Sequence, residues 1–190
     1  MGKTFASYYP EAMRHTLQEE ILPLVQEQGQ WVGELALVSA TGETIPTIEN
    51  FFLIRDEQGR PRYVADIVTD LSVRKQTELL LAQRIKELDC LNDIGRKIDQ
   101  DPPVPACLYW TDERIPPAMQ HPDKCRAAIE FEGQTFGAAD AVKLPRQMVG
   151  GLRVSEERVG RIIIAYTEDH NFLDEESALL GDIARRVSGY

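Results

Sequence analysis

The chain has 190 residues, 43% hydrophobic and 27% charged, the composition of a folded protein and not of a disordered one. Its 21 Lys+Arg against 31 Asp+Glu leave a net charge of −10, which repels phosphate backbones and anionic lipids and speaks against nucleic-acid partners and direct membrane binding. No apolar run approaches the roughly 20 residues of a bilayer span, and the start of the chain lacks a signal peptide's apolar core. Cys90, Cys107 and Cys125 are scattered and form no C-x-x-C, so a reducing, cytoplasmic setting is expected.

The first element is a helix over residues 10–28. Met13, Leu17, Ile21, Leu24 and Val25 share one stripe, Pro10 suits the first turn, and Gly29 suits the position past the end. Three strand-like runs follow at Gly33–Ser39, Thr47–Arg55 and Tyr63–Thr69. They are separated by Ala40-Thr41-Gly42-Glu43 and Asp56-Glu57-Gln58-Gly59, which reads as an antiparallel meander.

Residues 71–98 form the longest helical pattern, with Leu81, Ile85, Leu88, Leu91, Ile94 and Ile98 at an average step near 3.5, the spacing of a coiled-coil seam. Asp70 sits where a carboxylate can cap the first turn. Leu81, Ile85, Leu88 and Leu91 are the candidate dimer seam, and a homodimer is expected. The competing reading lays the stripe on the chain's own last domain. The stretch Asp99-Gln100-Asp101-Pro102-Pro103 is a hinge, because the double proline cannot continue a helix.

The remaining pattern gives a short helix at 106–114 and strands at Cys125–Glu132, Thr135–Ala141, Gln147–Val154 and Val159–Thr167. A final helix covers 173–187, with Asp174, Glu175 and Glu176 complementing the dipole of its first turn. The fold class is therefore α+β: a three-stranded antiparallel sheet, a long connecting helix, then a four-stranded antiparallel sheet with flanking helices. The expected division is 1–75, 76–101 and 102–190, with the helix from about residue 86 packing on the last part.

Four landmarks in the first block carry a family resemblance. They are Trp31-Val32-Gly33-Glu34, Thr41-Gly42-Glu43 with Ile45-Pro46, Arg55-Asp56-Glu57-Gln58-Gly59, and Asp70-Leu71-Ser72-Val73-Arg74-Lys75. In order and spacing they resemble the C-terminal part of a PAS domain with its PAC segment, and they imply a truncated PAS sheet. Residues from about 86 onward, through Arg114-Ile115-Pro116-Pro117, Arg158–Ile162 and Phe172–Leu180, are similar to a small GAF-like domain. Together the resemblances imply the input region of a bacterial sensor, most often a histidine kinase in a two-component system. Such a chain is not itself an enzyme: it relays a conformational change to an output domain. The alternative is a GAF-type module that binds a small molecule and regulates transcription or cyclic-nucleotide metabolism.

No residue set points to a cofactor. His15 lies about 200° around the helix from Met13 and reads as a surface residue, and residues 1–75 hold no cysteine for a flavin adduct. His121 and Cys125 offer two metal ligands where a structural zinc site needs four. His170, beside Glu168 and Asp169, reads as a solvated turn. Neither Cys107-Leu108 nor Cys125-Arg126 has the context of a bilin attachment site. Tyr109 and Trp110 read as core or interface, and Gly150-Gly151 as a strand irregularity. There is no G-x-S-x-G, no phosphoacceptor histidine box and no ATP-lid motif. The expectation is no cofactor, no metal and no catalysis.

Overall fold

The structure, a computed structural model, describes residues 4–155 and 157–190. The chain divides into two compact units, residues 1–79 and 80–190.

In the first unit α1 (Glu11–Thr16) passes through one wide helical turn, Leu17–Ile21, into α2 (Leu22–Gln28). The wide turn has a local cause. Pro23 lacks the N–H that would continue the regular ladder, and the Leu22 N–H reaches back five residues to the Leu17 carbonyl. Gly29 then ends the helix at φ 87°, a left-handed conformation that glycine adopts at little cost.

The sheet is β1 (Gln30–Val38), β2 (Thr44–Arg55) and β3 (Pro61–Asp70), antiparallel in the order β1-β2-β3. The register pairs Trp31 with Phe51 and Phe51 with Asp66. Alternation therefore puts Trp31, Gly33, Leu35, Thr47, Glu49, Phe51 and Asp66 on one face. That face packs on the helical stripe: Tyr9, Leu17, Ile21, Val25, Leu35 and Phe51 are its buried core. The opposite face, with Val32, Ile48, Ile54, Tyr63 and Ile67, is exposed.

The second unit takes most of α3 (Ser72–Ile98), then α4 (Val104–Ala118), β4 (Cys125–Phe131), β5 (Gln134–Gly137), β6 (Gln147–Val154), β7 (Glu157–Tyr166) and α5 (Asp174–Ser188). Its antiparallel sheet runs β5-β4-β7-β6. Ile94, Leu108, Ile115, Ile129, Ile162, Ile164, Leu180 and Ile183 belong to the core between this sheet and the helices. A smaller cluster of Ala128, Ala141 and Ala165 lies apart from that core.

The architecture is the α+β arrangement read from the sequence, with two differences. The strand expected over Thr135–Ala141 stops at Gly137, where φ is 87°, and a single tight turn at Ala141–Lys143 replaces its end. The helix expected to stop at Arg114 continues to Ala118 despite Pro116 and Pro117. Its extra turn buries Ile115 and Ala118, and apolar burial there outweighs the missing N–H donors.

Candidate signal-relay junction

The passage from β3 into α3 is tied by three contacts. The Asp70 carboxylate accepts the Ser72 N–H at 2.7 Å, taking up one of the donors a helix start leaves free. Ser72, through its hydroxyl first and this N–H second, holds the Asp70 carboxyl below the usual carboxylate range. The Leu71 N–H donates to the Pro46 carbonyl at 2.8 Å, and the Leu71 side chain is buried. Lys75 Nζ, one turn into the helix, pairs with Glu34 Oε2 at 2.7 Å.

Glu34 reaches Lys75 because of the Trp-x-Gly-Glu pattern. Trp31 and Gly33 share the face packed on the helical stripe, and the indole ring lies over Gly33: a Cβ there would come within 2.5 Å of the ring. Glu34, one residue on, necessarily points to the other face, where the helix begins. The motif therefore uses glycine as a seat for the tryptophan and glutamate as the link to the exit helix.

Farther along, α3 presents two stripes. Gln83 donates to the Ala118 carbonyl at 2.8 Å, and Glu87, Cys90 and Ile94 are buried in the second unit. On the other side Leu81, Ile85 and Leu88 are 59%, 50% and 53% exposed. Leu91 and Ile98 turn from that side and pack at the edge of the second unit's core. The helix thus uses one face for its own unit and leaves Leu81, Ile85 and Leu88 open. The near-3.5 spacing joined two faces, because a straight helix advances about 100° per residue and drifts across a heptad repeat.

The remaining candidates separate clearly. His15 is exposed on α1. Cys90, Cys107 and Cys125 are free and buried, and burial pushes the Cys90 and Cys125 thiols up to about 12, so neither is a nucleophile at neutral pH. Tyr109 stacks edge-on against Phe136, and Trp110 lies under the Arg114 guanidinium. Among the described residues, no group of three or more His, Cys, Asp or Glu side chains could hold a metal ion. No described helix is long and apolar enough to cross a membrane.

Two groupings escaped the sequence. His121 and His170, 49 positions apart, stack with ring centroids 4.0 Å apart, and Tyr166 meets both edge-on. Glu176, read only as a first-turn acid, is buried. It accepts the Leu173 N–H and the Gln120 N–H, each at 2.9 Å, and the Tyr166 hydroxyl. No short-range pattern announces either, since both depend on chain segments brought together only by the fold.

Neither a protein-family model nor a curated protein matches the chain. Among solved structures it is similar to the PAS domain of a protein from Colwellia psychrerythraea, with 18% identity and a TM-score of 0.35. The match covers 37% of this chain and 59% of that one.

Proposed function

We propose that the chain is a non-catalytic sensory input region. A PAS-like unit is coupled through α3 to a GAF-like unit, and α3 pairs with its copy in a parallel homodimer. The observation that carries the reading is the Glu34–Lys75 pair: it joins the Trp-x-Gly-Glu landmark to the Asp-Leu-Ser-x-Arg-Lys exit, so a shift of the sheet pulls on the helix. The open stripe of Leu81, Ile85 and Leu88 supports the homodimer, because burying a leucine is worth about 1.5–3 kcal/mol. Rotation or tilt of the paired helices is the physical form of such a signal. The output we assign is a histidine kinase joined to this region.

Oligomeric state tests the reading directly. Light scattering at tens of micromolar is expected to give a dimer, and the double variant Leu81→Glu, Leu88→Glu a monomer with an unchanged melt of the second unit. Because the native cysteines are buried, Ile85→Cys is expected to cross-link to its own copy, while Lys86→Cys, off the stripe, does not. A monomeric native chain, or equal cross-linking at both positions, overturns the proposal.

A further inference from the structure

The first unit buries a carboxylate without a cation. Glu49 is 0% exposed in the middle of β2, and both of its oxygens are taken by hydroxyl donors. Thr47 Oγ1 donates to Oε1 at 2.7 Å, and the Tyr9 hydroxyl donates to Oε2. Asp66 sits on the same face of the neighbouring strand, diagonal to Glu49, since Phe51 is its direct partner and Val68 is that of Glu49. The Asp66 carboxyl lies within hydrogen-bonding reach of Glu49, and its Oδ1 is buried without a partner.

No cation forms an ion pair with either carboxyl among the described residues. The helical segment contributes Tyr9 and Arg14, and the Arg14 Nε donates to the Tyr9 carbonyl at 3.0 Å rather than to a carboxylate. On the same face β1 contributes Trp31, Gly33, Leu35 and Leu37, none of which titrates. β2 contributes Thr47, Glu49, Phe51 and Leu53, and β3 contributes Val64, Asp66, Val68 and Asp70; Asp70 is a further acid, opposite Thr47, whose carboxylate is taken by the Ser72 N–H.

Two carboxylates this close, one fully buried and the other half-buried with its Oδ1 shut from water, repel each other, and both are acceptors with no donor between them; one proton resolves both conflicts. We propose that Glu49 and Asp66 form a proton-binding site: in the folded chain the pair holds one proton between its two carboxyls. Loss of that proton sets two like charges against each other beneath Tyr9. Desolvation and the Glu49 charge raise Asp66 to about 6, in line with a proton held through the mildly acidic range. Burial and the Glu49 bond likewise push the Tyr9 hydroxyl upward, so Tyr9 remains a donor throughout. The site lies inside the first unit and does not depend on whether α3 relays a signal.

Carboxyl carbon NMR of the full chain, labelled at Asp and Glu, tests this. The native chain is expected to show one titration from this pair near pH 6, with Asp112→Asn used to remove the other high-titrating carboxyl. In Glu49→Gln the Asp66 midpoint should fall toward the ordinary value of about 3.9. In Asp66→Asn the high step should vanish. If Glu49 and Asp66 both titrate near pH 4 in the native chain, or if the high step survives Asp66→Asn, there is no such site. Should either variant fail to fold, the native titration alone decides.

Discussion

Lys75 and Glu34 meet at 2.7 Å, joining the first turn of α3 to the edge strand β1 across 41 positions of sequence. Both side chains are open to water, so the pair adds little to global stability, and its consequence is local: it fixes the direction in which the helix leaves the sheet. The Lys75 hydrogen bond, and after it the Lys75 charge, holds the Glu34 carboxyl below the usual carboxylate range. Glu34→Gln is therefore expected to leave the melting temperature nearly unchanged while speeding hydrogen exchange of the amides at 75–79. The same acceleration should appear in the native chain in high salt. Unchanged exchange in both would mean that Leu71 and Asp70 alone anchor the helix.

Asp112, on α4, carries a second prediction. It is buried, its Oδ1 has no hydrogen-bond partner, and desolvation raises it to about 7. Its folded value exceeds that of the unfolded chain. The stabilisation it contributes is therefore complete below about pH 3.9 and lost as pH rises through 7, at about 1.4 kcal/mol for each unit between. Exchange of the β7 amides should show the second unit less stable at pH 8 than at pH 5. Asp112→Asn should flatten that slope and stabilise the unit at pH 8. A slope unchanged by the substitution would place the titrating group elsewhere.

Gly137 explains how Asp112 is seated. The carboxyl lies directly over the glycine, and a Cβ there would fall 2.0 Å from Oδ2, at a φ of 87° that already disfavours a side chain. Gly137→Ala is expected to destabilise the second unit at every pH, whereas Asp112→Asn acts mainly above neutrality. Urea unfolding of each variant at pH 5 and pH 8 separates steric from electrostatic causes. Equal losses for Gly137→Ala and a Gly133→Ala control, whose Cβ meets nothing, would show that only backbone conformation matters.

How far the chain could be read in advance depended on the range of the interaction. The meander of β1 to β3 was legible because its turns are written locally: Gly42 at φ 88° and Gly59 at φ 78° sit where the sequence changes from strand-like runs to polar residues. The start of α3 was legible for the same reason, from Asp70 and the residues after it. Glu49 was not. An acid within a strand ordinarily marks the wet face, and here Thr47 and Tyr9 donate to it, so it faces inward. Tyr9 precedes it by 40 positions, beyond any pattern of period two or 3.6. Leu91 packs at the edge of the second unit's core and not on the open stripe of Leu81, Ile85 and Leu88, because heptad spacing and true helical rotation diverge over three turns.

The last prediction concerns Glu176, which organises one end of the second unit. One carboxylate satisfies the Leu173 N–H at the start of α5, the Gln120 N–H after α4, and the Tyr166 hydroxyl at the end of β7. The Tyr166 ring in turn stacks on Phe172 at 4.8 Å and meets His121 and His170 edge-on, so the aromatic group rests on that acid. Burial and the Glu176 bond push the Tyr166 hydroxyl upward, keeping it a donor. Glu176→Ala would orphan three donors at once. With an unmet buried donor worth about 1–3 kcal/mol, and water replacing part of the loss, the unit should lose about 2–4 kcal/mol. Glu176→Gln keeps the shape but turns one acceptor into a donor facing an N–H or a hydroxyl, and should cost less than alanine. Tyr166→Phe, which removes one of the three donors, should cost least. Urea unfolding in that rank order, with His121 and His170 ring resonances shifting in the alanine variant, is the expected result. If Tyr166→Phe proves as damaging as Glu176→Ala, the tyrosine hydroxyl is the organising group and the carboxylate only its acceptor.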